Sequence, residues 1–294
     1  MKEAVLLTGA NGFIGRHLHQ ALAETYRVVR VVRPRQAGGE EEDCIRADLS
    51  GPDVVEPLIS SLPVKEYKAV VHLAAVLCRP GDWDNPACFE LNNAITMNMV
   101  RIARALSCET FVNFSSLAVY PNETGLYDEN SKVDMSGNTE CLYGLSKFNS
   151  EILFRYLLRS AMKVVNLRVT QVFGPGMQED RLLGILLKEL REENRITLFG
   201  NGERVSNFLY VGDLVQAVLA VLRKPLAGTY NLGNEKNRSY LDLARDVLAA
   251  VGREDSRIVL QEKGIRAKVE IDTKRFEREF DYVCRRNAVS FLGE

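Results

Sequence analysis

Apolar residues fall along this chain in two rhythms. Short runs at 5–7, 28–32, 69–73, 111–114 and 164–167 are rich in Val, Leu and Phe. They are apolar on both faces, which predicts strands buried on both sides in a parallel sheet. Between them the period lengthens to three and four residues. One helix is predicted from residue 12 to about 24. A second carries Ile95, Met99, Ile102 and Leu106 at helical steps, and a third begins near Tyr143 and carries Phe148, Ile152 and Tyr156. Repeated βαβ units of this kind predict an α/β fold built on a doubly wound parallel Rossmann sheet.

After Arg168 the rhythm breaks. Phe173-Gly174-Pro175-Gly176 is a turn cluster, followed by an amphipathic helix over about 181–192 and a glycine-rich turn at Phe199-Gly200-Asn201-Gly202. A strand-and-helix unit over 208–222 and a short strand at 230–233 follow. The expected organisation is a large domain over 1–172, to which residues 208–225 return, and a smaller lobe over most of 173–294.

Composition narrows the function classes. Lys and Arg number 38 against 39 Asp and Glu, so a net charge of −1 gives no field to draw in nucleic acid. Six cysteines without a Cys-x-x-Cys pair suit reduced thiols in a cytoplasm better than a disulfide framework or a zinc site. The three histidines include two, His17 and His19, spaced to point apart on a helix, so no metal centre is expected. The start MKEAVLLTGANG turns to Gly and Asn too early for a signal peptide, and no apolar stretch is long enough to cross a bilayer. A cytoplasmic protein without nucleic-acid or membrane partners is expected.

The first strand runs into Thr8-Gly9-Ala10-Asn11-Gly12-Phe13-Ile14-Gly15. Glycines at 9, 12 and 15, between a strand and a helix, permit a tight turn, close approach of a pyrophosphate, and close helix–strand packing. Exposed N–H groups at the helix start would then hold the anion. A glycine-rich turn with a purely structural role is the alternative, and the βαβ setting speaks for cofactor binding.

Several motifs follow in order. They are His72-Leu73-Ala74-Ala75, Asp48-Leu49, Asn92, Ser115-Ser116-Leu117-Ala118-Val119-Tyr120, Tyr143-Gly144-Leu145-Ser146-Lys147, and Arg168 with 173–176. With the glycine loop, they make residues 4 to about 275 resemble the extended short-chain dehydrogenase/reductase family, whose members include nucleotide-sugar epimerases, dehydratases and ketoreductases. The resemblance implies an enzyme whose larger domain binds a dinucleotide and whose smaller lobe binds substrate. Gly9, Asn11, Gly12, Phe13, Ile14 and Gly15 would hold the pyrophosphate, and Asp48 and Leu49 would flank the adenine. Leu73, Ala74 and Ala75 would line the cofactor, together with Asn92, Tyr143 and Lys147.

Where NAD-preferring relatives place an acid after the second strand, this chain reads Val32-Arg33-Pro34-Arg35. Arg33 fits a 2′-phosphate, with Arg35 in support, so NADP is expected ahead of NAD. Both arginines could equally be solvated surface charge.

Tyr143 and Lys147, four apart, share one helix face. A neighbouring ammonium stabilises a phenolate, which lets Tyr143 exchange a proton with a substrate oxygen while hydride moves to or from a nicotinamide. By the resemblance, Ser116 binds the reacting oxygen, Lys147 also holds the nicotinamide ribose, and Ser115 closes the strand end. His72 is expected to be a packed loop residue.

The chain departs from the family pattern at three places. Leu117 and Ala118 stand where nucleotide-sugar dehydratases carry an Asp-Glu pair, which disfavours 4,6-dehydration. Gln171 stands for an asparagine that often contacts the substrate phosphate. Ser206 stands where an arginine commonly pairs with the substrate diphosphate, and Arg204 or Arg181 could substitute. The expected activity is oxidoreduction or epimerisation at a secondary alcohol or ketone of a nucleotide-activated sugar, with a 4-ketoreductase leading. The alternatives are a 4-epimerase retaining NAD, a reductase of a small non-sugar carbonyl compound, and a non-enzymatic cofactor sensor. A homodimer through the helices at about 92–107 and 143–160 is expected from the resemblance.

Overall fold

The computed structural model describes residues 2–34, 42–78, 81 and 83–293. Arg35 lies outside them. The chain divides into two compact units.

The first unit comprises Met1–Pro121, Lys132–Arg168 and Val218–Tyr230. Its strands are β1 (Ala4–Thr8), β2 (Arg27–Val32), β3 (Cys44–Arg46), β4 (Glu66–His72), β5 (Ser107–Ser116), and the bulk of β7 (Lys163–Val169) and β11 (Gly228–Leu232). They form one sheet in the order β3-β2-β1-β4-β5-β7-β11. The β1 strand pairs in parallel with β2 and β4, β2 with β3, and β4 with β5. All five residues of β1 are buried, as expected for a strand with helices on both faces. The helices are α1 (Phe13–Thr25), α2 (Val55–Ser61), α3 (Ala87–Ala105) and α4 (Cys141–Leu158). Met99, Ile102 and Ala103 of α3 and Phe154 and Leu158 of α4 pack with Leu6, Val29, Val70 and Phe111 into one core. Rings pack at an angle within it, with Phe111 and Phe154 centroids 4.5 Å apart and their planes inclined by 40°.

The second unit comprises Asn122–Ser131, Val169–Ala217 and Asn231–Glu294. Strands β8 (Gln171–Phe173), β10 (Val205–Tyr210) and β12 (Asn237–Ser239) form a three-stranded sheet in the order β12-β10-β8. Two parallel pairs accompany it: β6 (Gly125–Tyr127) with β14 (Val269–Ile271), and β9 (Arg195–Phe199) with β13 (Arg257–Gln261). Helices α5 (Leu182–Glu193) and α7 (Tyr240–Val251) bury Leu183, Leu186, Leu243 and Val247 against Phe173, Ile196 and Phe208. Ser239 caps α7, its Oγ accepting the Asp242 N–H at 3.0 Å. A further short helix, α8 (Lys274–Phe280), completes the unit.

These boundaries differ from those read from hydrophobic rhythm. Residues 122–131 join the second unit because β6 pairs with β14, and 208–210 join it because β10 pairs with β8 and β12. Helix α6 (Val211–Arg223) straddles the division, so the returning segment is 218–230 rather than 208–225.

Candidate active site

The glycine loop leaves β1 and enters α1 with its backbone bare. Gly9 adopts φ of 70°, and a Cβ there would stand 2.9 Å from Ala74 N. A Cβ on Gly15 would lie 2.3 Å from Gly9 O. No side chain caps the start of α1, and its first turn carries no acid. The first-turn N–H groups, around Phe13, Ile14 and Gly15, have no intrahelical acceptors and form a cradle for a phosphate. The loop therefore fits a dinucleotide pyrophosphate. Asn11 is tied in through its carbonyl, which accepts Arg16 Nη1 at 3.1 Å.

Loops after β4 and β3 complete the candidate cofactor surface. Leu73, Ala74 and Ala75 follow β4, and Ala74 N donates to Thr8 Oγ1 at 3.2 Å. Thr8 Oγ1 also lies 2.7 Å from His72 Nδ1. Burial pushes His72 down to about 3, with the Lys147 charge adding to the effect, so the imidazole is neutral and packed. Asn92 is buried and works on the loop itself: its Oδ1 accepts Val76 N at 2.8 Å, and its Nδ2 donates to Val76 O at 2.9 Å and Ser146 Oγ at 3.1 Å. Leu49 is buried, while Asp48 is exposed and held below the usual carboxylate range chiefly by the Ser50 hydroxyl. Asn98, not singled out from the sequence, donates to Leu49 O and Gly51 O at 2.9 and 2.8 Å and fixes that loop. Its signal was a polar residue on the apolar face of a helix. Arg33 is exposed at the end of β2.

The structure gathers Ser116, Tyr143 and Lys147 around the C-terminal end of β5. Ser116 ends that strand, and its Oγ accepts Ala118 N at 3.1 Å, capping a 3-10 turn at Leu117–Val119. A Cβ on Gly144 would stand 2.2 Å from Ala118 O, so the turn after Ser116 presses on the first turn of α4, which carries Tyr143. Lys147 is buried, with Nζ 5.7 Å from the Tyr143 ring centroid, and it donates to Phe114 O at 2.8 Å. Burial lowers its pKa to about 8, opposed by Cys88 and Glu151.

Behind this group runs a buried chain of polar side chains that the sequence did not disclose. Ser115 Oγ donates to Glu151 Oε1 at 2.5 Å. Arg168 grips Glu151 with Nε to Oε1 at 3.0 Å and Nη2 to Oε2 at 2.9 Å, and its Nη1 donates to Tyr120 Oη at 2.9 Å. The clue was Glu151, one turn beyond Lys147, which reads in isolation as a solvated helix charge.

In the second unit, Gln171 Nε2 donates to Ser206 Oγ at 3.0 Å across β8 and β10. Arg204 Nη2 donates to Asn122 Oδ1 at 3.2 Å, and its guanidinium lies 5.3 Å from the Tyr240 ring centroid. Its Nε is buried without a hydrogen-bond partner among the described residues. Asn122 and Tyr240 are therefore the neighbours that hold this cation, and neither stood out in the sequence. Among the described residues no cluster of His, Cys, Asp and Glu could hold a metal ion, and no helix is long and apolar enough to cross a membrane.

A phosphate cradle on a parallel Rossmann sheet, with serine, tyrosine and lysine at the end of β5, two strands along, defines an enzyme of the short-chain dehydrogenase/reductase type. Residues 5–233 match the NAD dependent epimerase/dehydratase family, and the chain belongs to it. It is 28% identical over 275 residues to the dTDP-4-dehydro-6-deoxy-D-allose reductase of Streptomyces bikiniensis, covering 85% of this chain and 82% of that one. It is 27% identical over 264 residues to UDP-glucuronic acid decarboxylase 1 of Xenopus tropicalis, covering 85% of this chain but only 61% of the frog protein. MoeE5, solved in complex with UDP-glucuronic acid and NAD, superposes with a TM-score of 0.78 at 25% identity over 98% of this chain and 96% of that one.

Proposed function

We propose that this protein is a nucleotide-sugar 4-ketoreductase that uses NADPH. The observation that carries the reading is the Ser116, Tyr143 and Lys147 group, followed directly by apolar Leu117 and Ala118 where a dehydratase would need acids. The likeness to the Streptomyces reductase supports it. When bound, the dinucleotide supplies the hydride. Ser116 donates a hydrogen bond to the substrate oxygen and orients it, Tyr143 delivers the proton to that oxygen, and the Lys147 ammonium stabilises the phenolate left behind. Arg33, exposed with no acid beside it on β2, supports a 2′-phosphate. Arg204, with its free Nε, supports a diphosphate contact in the second unit.

A 4-epimerase with retained NAD is the second reading, supported by the NAD bound to MoeE5. Denaturing the purified protein and identifying the dinucleotide released decides between them. An empty protein that oxidises NADPH with a 4-keto sugar nucleotide is the expected result, and stoichiometric NAD refutes it. The proposal includes a homodimer through α3 and α4, where Leu91, Met97 and Leu145 stay exposed. Light scattering should give twice 33.0 kDa, and a persistent monomer refutes it.

A further inference from the structure

We propose that Ser115, Glu151 and Arg168 are positioning residues: they clamp the end of β5 onto α4 and so seat Lys147 beside Tyr143. The proposal rests on the catalytic reading above. Two consecutive residues of β5 are tethered to positions one turn apart on α4. Phe114 is held through its carbonyl by Lys147 Nζ at 2.8 Å, and Ser115 through its hydroxyl by Glu151 at 2.5 Å. Residues four apart on a helix face the same way, so both tethers pull the strand end onto one face.

Either tether alone is weak. A lysine has a long flexible stem, and one hydrogen bond to a carbonyl fixes its ammonium only if that carbonyl is itself fixed. The Ser115 bond does that at the next residue. It needs a buried carboxylate, however, and Glu151 is only 3% exposed. Burying such a charge alone would cost several kcal/mol. Arg168 offsets this with a two-pronged grip, and its remaining Nη1 reaches Tyr120, directly after the turn that Ser116 caps. One connected set of bonds thus joins the strand end, the turn and the helix that together carry Ser116, Tyr143 and Lys147.

Buried ion pairs are often no more stabilising than apolar groups of similar volume. What the polar set adds is a fixed geometry. Lys147 otherwise faces the Cys88 thiol from α3 and the neutral His72 from β4, and neither charge state ties it to β5.

The test reads Tyr143 directly and needs no substrate. The near-ultraviolet phenolate absorbance of the dinucleotide-free protein is titrated with pH, and the same titration of a Tyr143→Phe version is subtracted to isolate Tyr143. Ser115→Ala removes one tether without changing any charge, and Arg168→Lys keeps the charge but loses the fork. Both should move the Tyr143 midpoint upward by about one pH unit, a tenfold smaller phenolate fraction at fixed pH. An unmoved midpoint in folded Ser115→Ala overturns the clamp, and that variant decides alone should Arg168→Lys not fold. A wild-type midpoint at the ordinary tyrosine value overturns the catalytic reading and the clamp with it. The two failures are distinct, because loss of the clamp alone leaves the wild-type midpoint low.

Discussion

Replacing Lys147 with Met separates what this residue does for chemistry from what it costs the fold. The side chains are similar in length, so the change removes charge with little change in packing. Burial lowers the lysine from 10.5 to about 8 in the folded protein. Between those values the unfolded chain holds the proton and the folded chain does not. Wild-type stability should therefore rise with pH by about 1.4 kcal/mol per unit on account of this group, roughly 3 kcal/mol over the window. Below about pH 8 both states are protonated, and the full burial penalty is present. There the variant escapes that penalty but loses the charge-assisted bond to Phe114 O, worth roughly 1.5–3 kcal/mol, so near-parity is expected. Near pH 10.5 the variant should be less stable than wild type by roughly 3 kcal/mol. Urea unfolding of both dinucleotide-free proteins across this range measures the difference, in which titrating groups remote from Lys147 cancel, while His72 and Cys88, which feel its charge, do not. A stability difference that stays constant with pH would show that Lys147 is not desolvated, and the reasoning would be wrong.

Tyr143→Phe should lower turnover by roughly 10²–10⁴-fold while leaving dinucleotide affinity nearly intact, and a residual rate above about a tenth of wild type rules out its proton transfer. Arg33→Ala should weaken NADPH binding far more than NADH binding in fluorescence titrations; equal losses would mean the cofactor preference is set elsewhere. Arg204→Ala should abolish calorimetric binding of UDP or dTDP with dinucleotide present, and if no nucleoside diphosphate binds wild type below about the millimolar range, the nucleotide-sugar substrate is wrong.

The site's front face was legible in the sequence because its signals are local. A glycine loop between a strand and a helix, and a tyrosine and lysine four apart, fix geometry within a few residues. Ser116 was placed by the family resemblance of the run from Ser115 to Tyr120. The supporting face was not legible, since Glu151 and Arg168 become partners only when α4 packs beside β7. An acid on a helix and an arginine ending an apolar strand look independent until burial forces them together. The same holds for the fold. The long buried strands announced themselves by composition, whereas β6 and β14, three residues each, are too short to carry a period and are defined by each other. Asn92 matches the family's helix asparagine, and its bonds to the backbone of Val76 could not be read from that match.

The pairing of β6 with β14 also bears on how the chain is made. Gly125 stands opposite Val269, and Asn231 donates to both Tyr127 O and Asp272 O while its own N–H reaches Glu129. During synthesis, residues 122–131 therefore leave the ribosome long before their partners exist. At about 5–20 residues per second, the delay before residue 271 emerges is on the order of ten seconds or more. The larger unit is also incomplete until 218–230 arrive, since they supply its outermost strand. Neither unit is a contiguous stretch, so removing residues 269–271 should leave the early 122–131 segment without its strand partner. Pairing of β6 with β14 in the second unit thus waits until residue 271 has emerged.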